Sequence, residues 1–215
     1  MSEKEHLNSN RLSRLKLLIT IMCRHDDGHL YRVPARPNFD LHPIYSPKQG
    51  FMIKEVSGDI LLSKAGAIAH GVAPNDHFDS GLALSLREEM PAMYKDFRHY
   101  CHQFNPKPGS VWVWSGVGHR IINLFTQEPA QTNHSHPGKA SITHVNHALK
   151  ELAKIAVDEG LESLALPRLA TGVGGLDWEE VKPLIYKYLD PLPVPVYLYS
   201  TFVKGAKAGE NAFAN

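Results

Sequence analysis

Apolar positions in this chain recur with strand spacing in some stretches and helix spacing in others, and the alternation lays out its elements. Residues 51–56 read as a strand, 57–60 as a turn, and the apolar run 67–72 as a buried strand. A polar loop over 74–80 leads into a helix from Gly81 to about residue 89, and Pro91 is placed to open a second helix reaching about Gln103. Residues 110–114 and 120–125 are two strands joined by Ser115-Gly116-Val117-Gly118, a hairpin-like turn. After a loop rich in Pro, Asn, His and Gly over 127–139, residues 142–159 form an amphipathic helix with Val145, Ala148, Leu149, Leu152 and Ile155 on one face. The segment 161–189 then reads LESLALP, ATGVGG, LDWEEVKPLIYKYL: strand, glycine-rich turn, helix; 194–199 is a last strand. Strands alternating with helices predict a layered α/β domain whose mostly parallel sheet carries helices on both faces. Ligands of such sheets sit beyond the carboxyl ends of the strands, which singles out the loops 73–80, 126–139 and 170–176.

The first fifty residues follow another pattern. Arg11, Arg14 and Lys16 precede the apolar run 17–23, as in a secretory signal, but the run is short, leads into Arg24-His25-Asp26-Asp27, and is followed by no small-residue cleavage site. Leu12, Leu15, Ile19 and Met22 recur at helical spacing, so a soluble helix with one docked face is expected. Pro34, Pro37, Pro43 and Pro47 exclude a long helix or a central strand after it. The expected division is an N-terminal extension over 1–50, a main domain over 51–203 and a tail over 204–215.

Composition narrows the function classes. With 215 residues, 43% hydrophobic and 21% charged, the chain can bury an ordinary core. A net charge of +1 makes no demand for duplex DNA or a membrane surface as partner. Cys23 and Cys101 have neither metal-ligand spacing nor a disulfide framework, which fits a reducing compartment, and the cytoplasm is the expected location. His144 and His147 stand at i, i+3 without a third ligand at a convincing spacing, so no metal is expected. Trp112, Trp114 and Trp178 fall in or beside expected elements and read as core or seam residues.

The glycine-rich turn carries the most chemistry. Gly172, Gly174 and Gly175 can take positive φ and let backbone N–H groups approach a ligand, while the following helix points its positive end the same way. A phosphate or pyrophosphate suits that arrangement. An ordinary strand-to-helix turn whose glycines only save space fits the same residues equally well.

The stretch VSGDILLSKAGAIAHGVAPNDHFDSGLALSL, followed later by LALPRLATGVGGLDWEEVKPLI, resembles a macrodomain, the ADP-ribose-binding fold, over about residues 52 to 200. The similarity is greatest to the branch holding the terminal ADP-ribose protein glycohydrolase and the DNA ADP-ribosyl glycohydrolase antitoxins, in which PR-[IL]-x-x-G ends the penultimate strand. The resemblance implies a three-layer fold with a mixed sheet. It implies that Asp59 accepts a hydrogen bond from the adenine amino group, with the Ile60 N–H addressing a ring nitrogen; capping a turn is the ordinary alternative for Asp59. It puts the loop from Asn75 through Asp76, His77, Phe78, Asp79 and Ser80 to Gly81 around the distal ribose, and Thr171, Gly172, Val173, Gly174, Gly175 and Leu176 around the diphosphate. Tyr199 or Phe202 is placed to cover the adenine, although core packing or tail docking is the more ordinary role for either.

Catalysis is where the chain departs from the branch. Its glycohydrolases carry a lysine just after the threonine that here is Thr126, and this chain has Gln127, which cannot form a lysyl adduct. The aspartate of the protein glycohydrolase's glycine loop matches Gly174. Hydrolysis by a held water remains open, with Asp79 or His77 as the expected base and Asn75 positioning; Asp76, His134 and His136 are within the same loops. Three functions are therefore carried forward: release of ADP-ribose from a modified molecule, non-catalytic reading of ADP-ribose, and general nucleotide or phosphate binding. The expected partner is ADP-ribose or an ADP-ribosylated macromolecule, nucleic acid only as the modified target, with no cofactor, no membrane and a monomeric chain.

Overall fold

The structure is a computed structural model that describes residues 22–24, 30–32, 52–116, 118–132 and 135–210. The chain divides into two compact units, Met1–Lys48 and Gln49–Asn215.

In the first unit, Met22–Arg24 (β1) and Leu30–Arg32 (β2) pair antiparallel with Cys23 opposite Tyr31. Met22, expected on the face of a helix, lies instead in this strand pair. The rest of that expected helix and the proline-rich arm lie outside the described residues.

The second unit is built on a six-stranded sheet. Its strands are Ile53–Gly58 (β3), Ala67–Val72 (β4), Val111–Gly116 (β5), His119–Phe125 (β6), Leu164–Pro167 (β7) and Val196–Phe202 (β8), in the spatial order β3-β8-β7-β4-β6-β5. All neighbours run parallel except the β5/β6 hairpin, so the sheet is mixed and mostly parallel. The helices are Gly81–Glu89 (α1), Pro91–Phe104 (α2), Ile142–Asp158 (α3) and Trp178–Leu189 (α4).

Side-chain alternation along the strands sorts the core into two layers. Ala67, Ala69, Ile122, Leu124, Leu164 and Leu166 pack on α3 and α4 through Leu149, Leu152, Val181 and Ile185. Ile68, Val72, Ile121, Phe125 and Tyr197 point the other way, onto Leu86, Met93, Phe97 and Cys101 of α1 and α2. The three-layer arrangement is the expected one. On α3 the buried stripe ends on Ala156 with Ile155 only half-buried, a shift of one position at the last turn. Pro91 opens α2, and Ser141 caps α3 by accepting from the His144 N–H at 3.1 Å.

The tail is bonded to this unit as far as Glu210. The Asp59 N–H donates to the Ala206 carbonyl at 2.7 Å, and the Val203 N–H to the Gly58 carbonyl at 3.1 Å. Gly58 lets the tail lie this close, since a Cβ there would fall 2.9 Å from both Ala206 O and Ala208 N.

Candidate functional site

Two cavities open at the carboxyl edge of the parallel strands and meet along Gly81, Leu82 and Pro167. The larger, of about 630 Å³, is walled by Asp59, Ile60, Tyr199, Phe202 and Lys204. The smaller, of about 260 Å³, is walled by the three loops that the strand order singles out.

At the larger cavity Asp59 holds two backbone groups at once. Its Oδ1 accepts from the Leu61 N–H at 3.2 Å, capping the single 3-10 turn Ile60–Leu62, and its Oδ2 accepts from the Gly205 N–H at 3.0 Å. Each carboxylate oxygen keeps a second lone pair, so turn capping leaves room to accept from a ligand amino group. Phe202 is 69% exposed on the rim, whereas Tyr199 is buried and its hydroxyl donates to Glu210 Oε1 at 2.8 Å. Burial, reinforced by that bond, raises the Tyr199 pKa. Glu210 also accepts from Ser63 Oγ at 2.5 Å and from the Lys64 N–H at 2.8 Å, so Tyr199 belongs to the tail latch and Phe202 is the exposed aromatic on this cavity wall.

The loop between β4 and α1 is fixed from both sides. Asn75 and Phe78 have φ of 59° and 53°, a left-handed geometry that is strained for a phenylalanine by about 1–3 kcal/mol. The Phe78 ring is fully buried, 4.7 Å from Phe97 and 5.4 Å from Tyr94 between centroids, and that burial holds the turn. Asp76 Oδ1 accepts from the Phe78 N–H at 2.7 Å and Oδ2 from the Ala73 N–H at 3.4 Å. Burial raises the pKa of Asp76, with its backbone bonds opposing. Arg98 donates to the Asn75 carbonyl, and Arg87 donates to the His77 carbonyl and to Asp79 Oδ1, both at 2.8 Å.

The glycine loop closes on itself. Leu176 N–H donates to the Ala170 carbonyl at 3.0 Å and Gly175 N–H to the Gly172 carbonyl at 3.1 Å, with Ala170 at φ 59° and Gly175 at φ 73°. Gly174 is required for packing, because a Cβ there would fall 2.6 Å from Ala170 O; at Gly172 a Cβ would meet open space. The N–H groups of Gly172, Val173 and Gly174 have no hydrogen-bond partner among the described residues, and all three residues wall the smaller cavity. Successive unpaired N–H groups in a concave loop attract an anion. The helix N-terminus contributes less than its sequence position promises: Asp177 Oδ1 already accepts from the Glu179 N–H at 3.1 Å, and Glu179 and Glu180 fill the first turn of α4. Arg168 is also a wall residue of this cavity, and its guanidinium stacks on the Trp178 ring, 4.8 Å from the centroid. Trp178 is half-buried against the α3/α4 layer, a seam residue as expected.

Asp59, Ile60 and Phe202 thus meet at one cavity, and His77, Asp79, Ser80, Gly81, Gln127, Gly172, Val173 and Gly174 at the other. Asn75, Thr126, Thr171, Gly175 and Leu176 line neither cavity. Thr171 Oγ1 donates to the Arg168 carbonyl at 3.1 Å, and the Thr126 hydroxyl is buried beneath Gly71. Asp76 and His136 also line the smaller cavity; His134 lies outside the described residues. Sequence reasoning missed His70 and Arg168. A histidine inside the apolar strand AIAHGV and an arginine directly after the strand-ending Pro167 were the available signals.

The Macro domain family matches this chain over residues 75–185, which takes in the β4–α1 loop, the β5/β6 hairpin and the glycine loop. The chain belongs to the macrodomain family. The macrodomain of Thermus aquaticus DarG superposes on it with a TM-score of 0.61 at 26% identity, covering 70% of this chain and 99% of that one. The DNA ADP-ribosyl glycohydrolase of Thermus aquaticus is 27% identical over 149 residues, 69% of this macrodomain chain and 41% of the relative. A DNA ADP-ribosyl transferase-DNA ADP-ribosyl glycohydrolase fusion protein of Thermosipho africanus is 26% identical over 178 residues, 76% of this chain and 45% of the relative. The chain therefore spans less than half the length of these two relatives. The human ADP-ribose glycohydrolase OARD1 is 22% identical over 153 residues, 71% of this chain and 93% of its own. No helix of the described residues is long and apolar enough to cross a membrane.

Proposed function

We propose that this macrodomain binds ADP-ribose across the two cavities and hydrolyses an ADP-ribosyl linkage, releasing ADP-ribose. The observation that carries this is the shape of the cleft. A base-sized cavity with an acceptor and an exposed aromatic joins a second cavity walled by the unpaired N–H groups of the glycine loop and by a preset polar loop. The adenine lies against Phe202 with its amino group on Asp59 and a ring nitrogen at the Ile60 N–H. The diphosphate takes the N–H groups of Gly172, Val173 and Gly174, and the distal ribose enters among His77, Asp79, Ser80, Gly81 and Gln127. Relatives named for ADP-ribosyl and ADP-ribose glycohydrolase activity support the same ligand.

Hydrolysis adds water to the anomeric carbon of the distal ribose and breaks its bond to the modified group, which leaves with a proton. Asp79 and His77 are the groups of the preset loop that reach this end of the cleft, and one of them takes the water's proton. Asn75 acts through its backbone, shaping the turn. Asp76 is a weaker candidate for the base, because both of its oxygens already accept backbone N–H bonds. Calorimetry with ADP-ribose, together with detection of free ADP-ribose released from ADP-ribosylated DNA and protein, tests the proposal. Tight binding and release from at least one substrate are expected.

A second function, reading ADP-ribose without chemistry, is favoured by Gln127. It is buried in the cavity wall where the resembled branch has its lysine. Binding without turnover on any linkage supports it. Equal affinity for unrelated nucleotides supports the third function, general nucleotide binding.

A further inference from the structure

His70 lies at the floor of the smaller cavity, and neither the family's match nor the bonding of the loops explains its presence there. It sits in the middle of β4, only 1% exposed, directly opposite Asn123 of β6 in the parallel register. A histidine among Ile68, Ala69 and Val72 replaces an apolar side chain that would satisfy the strand at less desolvation cost.

The hydrogen bonds around it fix its tautomer. Asn123 Nδ2 faces the Trp112 carbonyl at 3.5 Å, so the amide oxygen is turned toward His70. Asn123 Oδ1 then lies 2.8 Å from His70 Nε2 and can only accept, which requires Nε2 to carry the hydrogen. In the neutral ring Nδ1 is therefore a bare acceptor. Burial keeps the ring neutral by holding its pKa down to about 4. Nδ1 has no hydrogen-bond partner among the described residues, and His70 is one of the residues that wall the smaller cavity. The ring's edge-on contact with Phe78, at 5.7 Å and 87°, prevents it from turning away from the cavity.

We propose that His70 is a specificity residue of the cleft: Nδ1 accepts a hydrogen bond from a hydroxyl of the distal ribose, so that the smaller cavity selects ADP-ribose over ADP. This rests on the ADP-ribose site proposed above. A fixed acceptor on the cavity floor answers a donor, and the hydroxyls of a pentose are the donors that ADP lacks at this end. Diphosphate oxygens are acceptors and gain nothing from it.

The test is calorimetry with ADP-ribose and ADP in parallel, on the full chain and two variants. H70L/N123L replaces both buried polar partners with apolar groups, which avoids an orphaned amide. His70→Gln keeps a donor for Asn123 and an acceptor for the ligand. The expected result is an ADP-ribose affinity about tenfold weaker in H70L/N123L with ADP affinity unchanged within about twofold, and near-complete rescue of ADP-ribose binding in His70→Gln. Equal losses for both nucleotides make His70 a packing residue and overturn the proposal, as does an undiminished ADP-ribose affinity. If the double variant does not fold, nitrogen NMR of the wild-type ring decides: an unprotonated Nδ1 whose resonance moves with ADP-ribose but not with ADP is expected, and a protonated or unresponsive Nδ1 overturns it. A wild-type chain that binds neither nucleotide instead overturns the ADP-ribose site itself.

Discussion

The carboxylate of Asp59 accepts a hydrogen bond from the backbone N–H of Gly205, a residue 146 positions further along the chain, at 3.0 Å. Through it the residue proposed to read the adenine also pins the tail that carries Lys204 and follows Phe202, so the base cavity and the chain's C-terminal wrap form one unit.

Asp59→Ala removes that bond and the cap on the 3-10 turn together. Chemical denaturation should show a loss of about 1–2 kcal/mol, the range for a lost cap. ADP-ribose affinity should fall, and the preference for adenine over hypoxanthine in the same ligand should disappear. Loss of stability with the base preference intact would reduce Asp59 to a structural cap.

Phe78→Ala empties a fully buried site between Phe97, Tyr94 and His70. A thermal or denaturant melt should register a loss of about 3–5 kcal/mol. The same variant should weaken ADP-ribose binding, because without the ring the left-handed backbone at residue 78 has nothing to hold it.

Much of this fold was legible in the residues, and the exceptions have physical causes. The apolar run of residues 67–72 and the 3.6-period of α3 announced their elements, the first because β4 is buried on both faces and the second because α3 buries one. Strand β8 runs on to Phe202, beyond the expected 199, because Ser57 and Gly58 of β3 supply backbone partners that the polar Thr201 side chain does not advertise. The order of strand, glycine-rich turn and helix was legible over 161–189, but the backbone geometry of the turn was only partly so. Of Gly172, Gly174 and Gly175, only Gly175 takes a positive φ; Ala170 takes one as well, Gly174 is held by packing against Ala170 O, and Gly172 faces open space. The capping of α4 by Asp177 likewise leaves less of the helix-end field for a ligand than the sequence order promises. His70 escaped because a tautomer is set by a chain of bonds running through Asn123 to Trp112, contacts between strands that no local pattern encodes.

Stability should fall in acid through His70. Its pKa is depressed in the folded state to about 4 from 6.5, so between these values the unfolded chain binds a proton that the folded chain refuses. The stabilisation is complete above pH 6.5 and is lost as pH falls toward 4, by about 3 kcal/mol in all. Asp76, whose pKa burial raises, acts in the opposite sense over the acid range, and comparison of wild type with H70L/N123L cancels it. Denaturation at pH 7 and pH 4.5 should show a steeper acid loss in the wild type than in the variant.

Turnover should separate from binding at the preset loop. Asp79→Ala or His77→Ala should lower the rate of ADP-ribose release at least about a hundredfold, the scale of lost acid–base catalysis, while calorimetric affinity changes far less. Gln127→Lys places an amine in the wall of the smaller cavity. It should raise release or leave a reducible lysyl adduct if the site is intact and only disarmed, which is the outcome that would favour the reader function for the natural chain.

The central claim is that the N–H groups of the glycine loop grip a diphosphate, and Gly172→Glu tests it most directly. A side chain at 172 enters open space at the cavity wall, so the fold should be retained while a carboxylate faces the anion. Calorimetry should show ADP-ribose affinity reduced at least about tenfold, by ~1.4 kcal/mol or more, with an unchanged melting temperature. Wild-type affinity in that variant would contradict the account and place the diphosphate elsewhere.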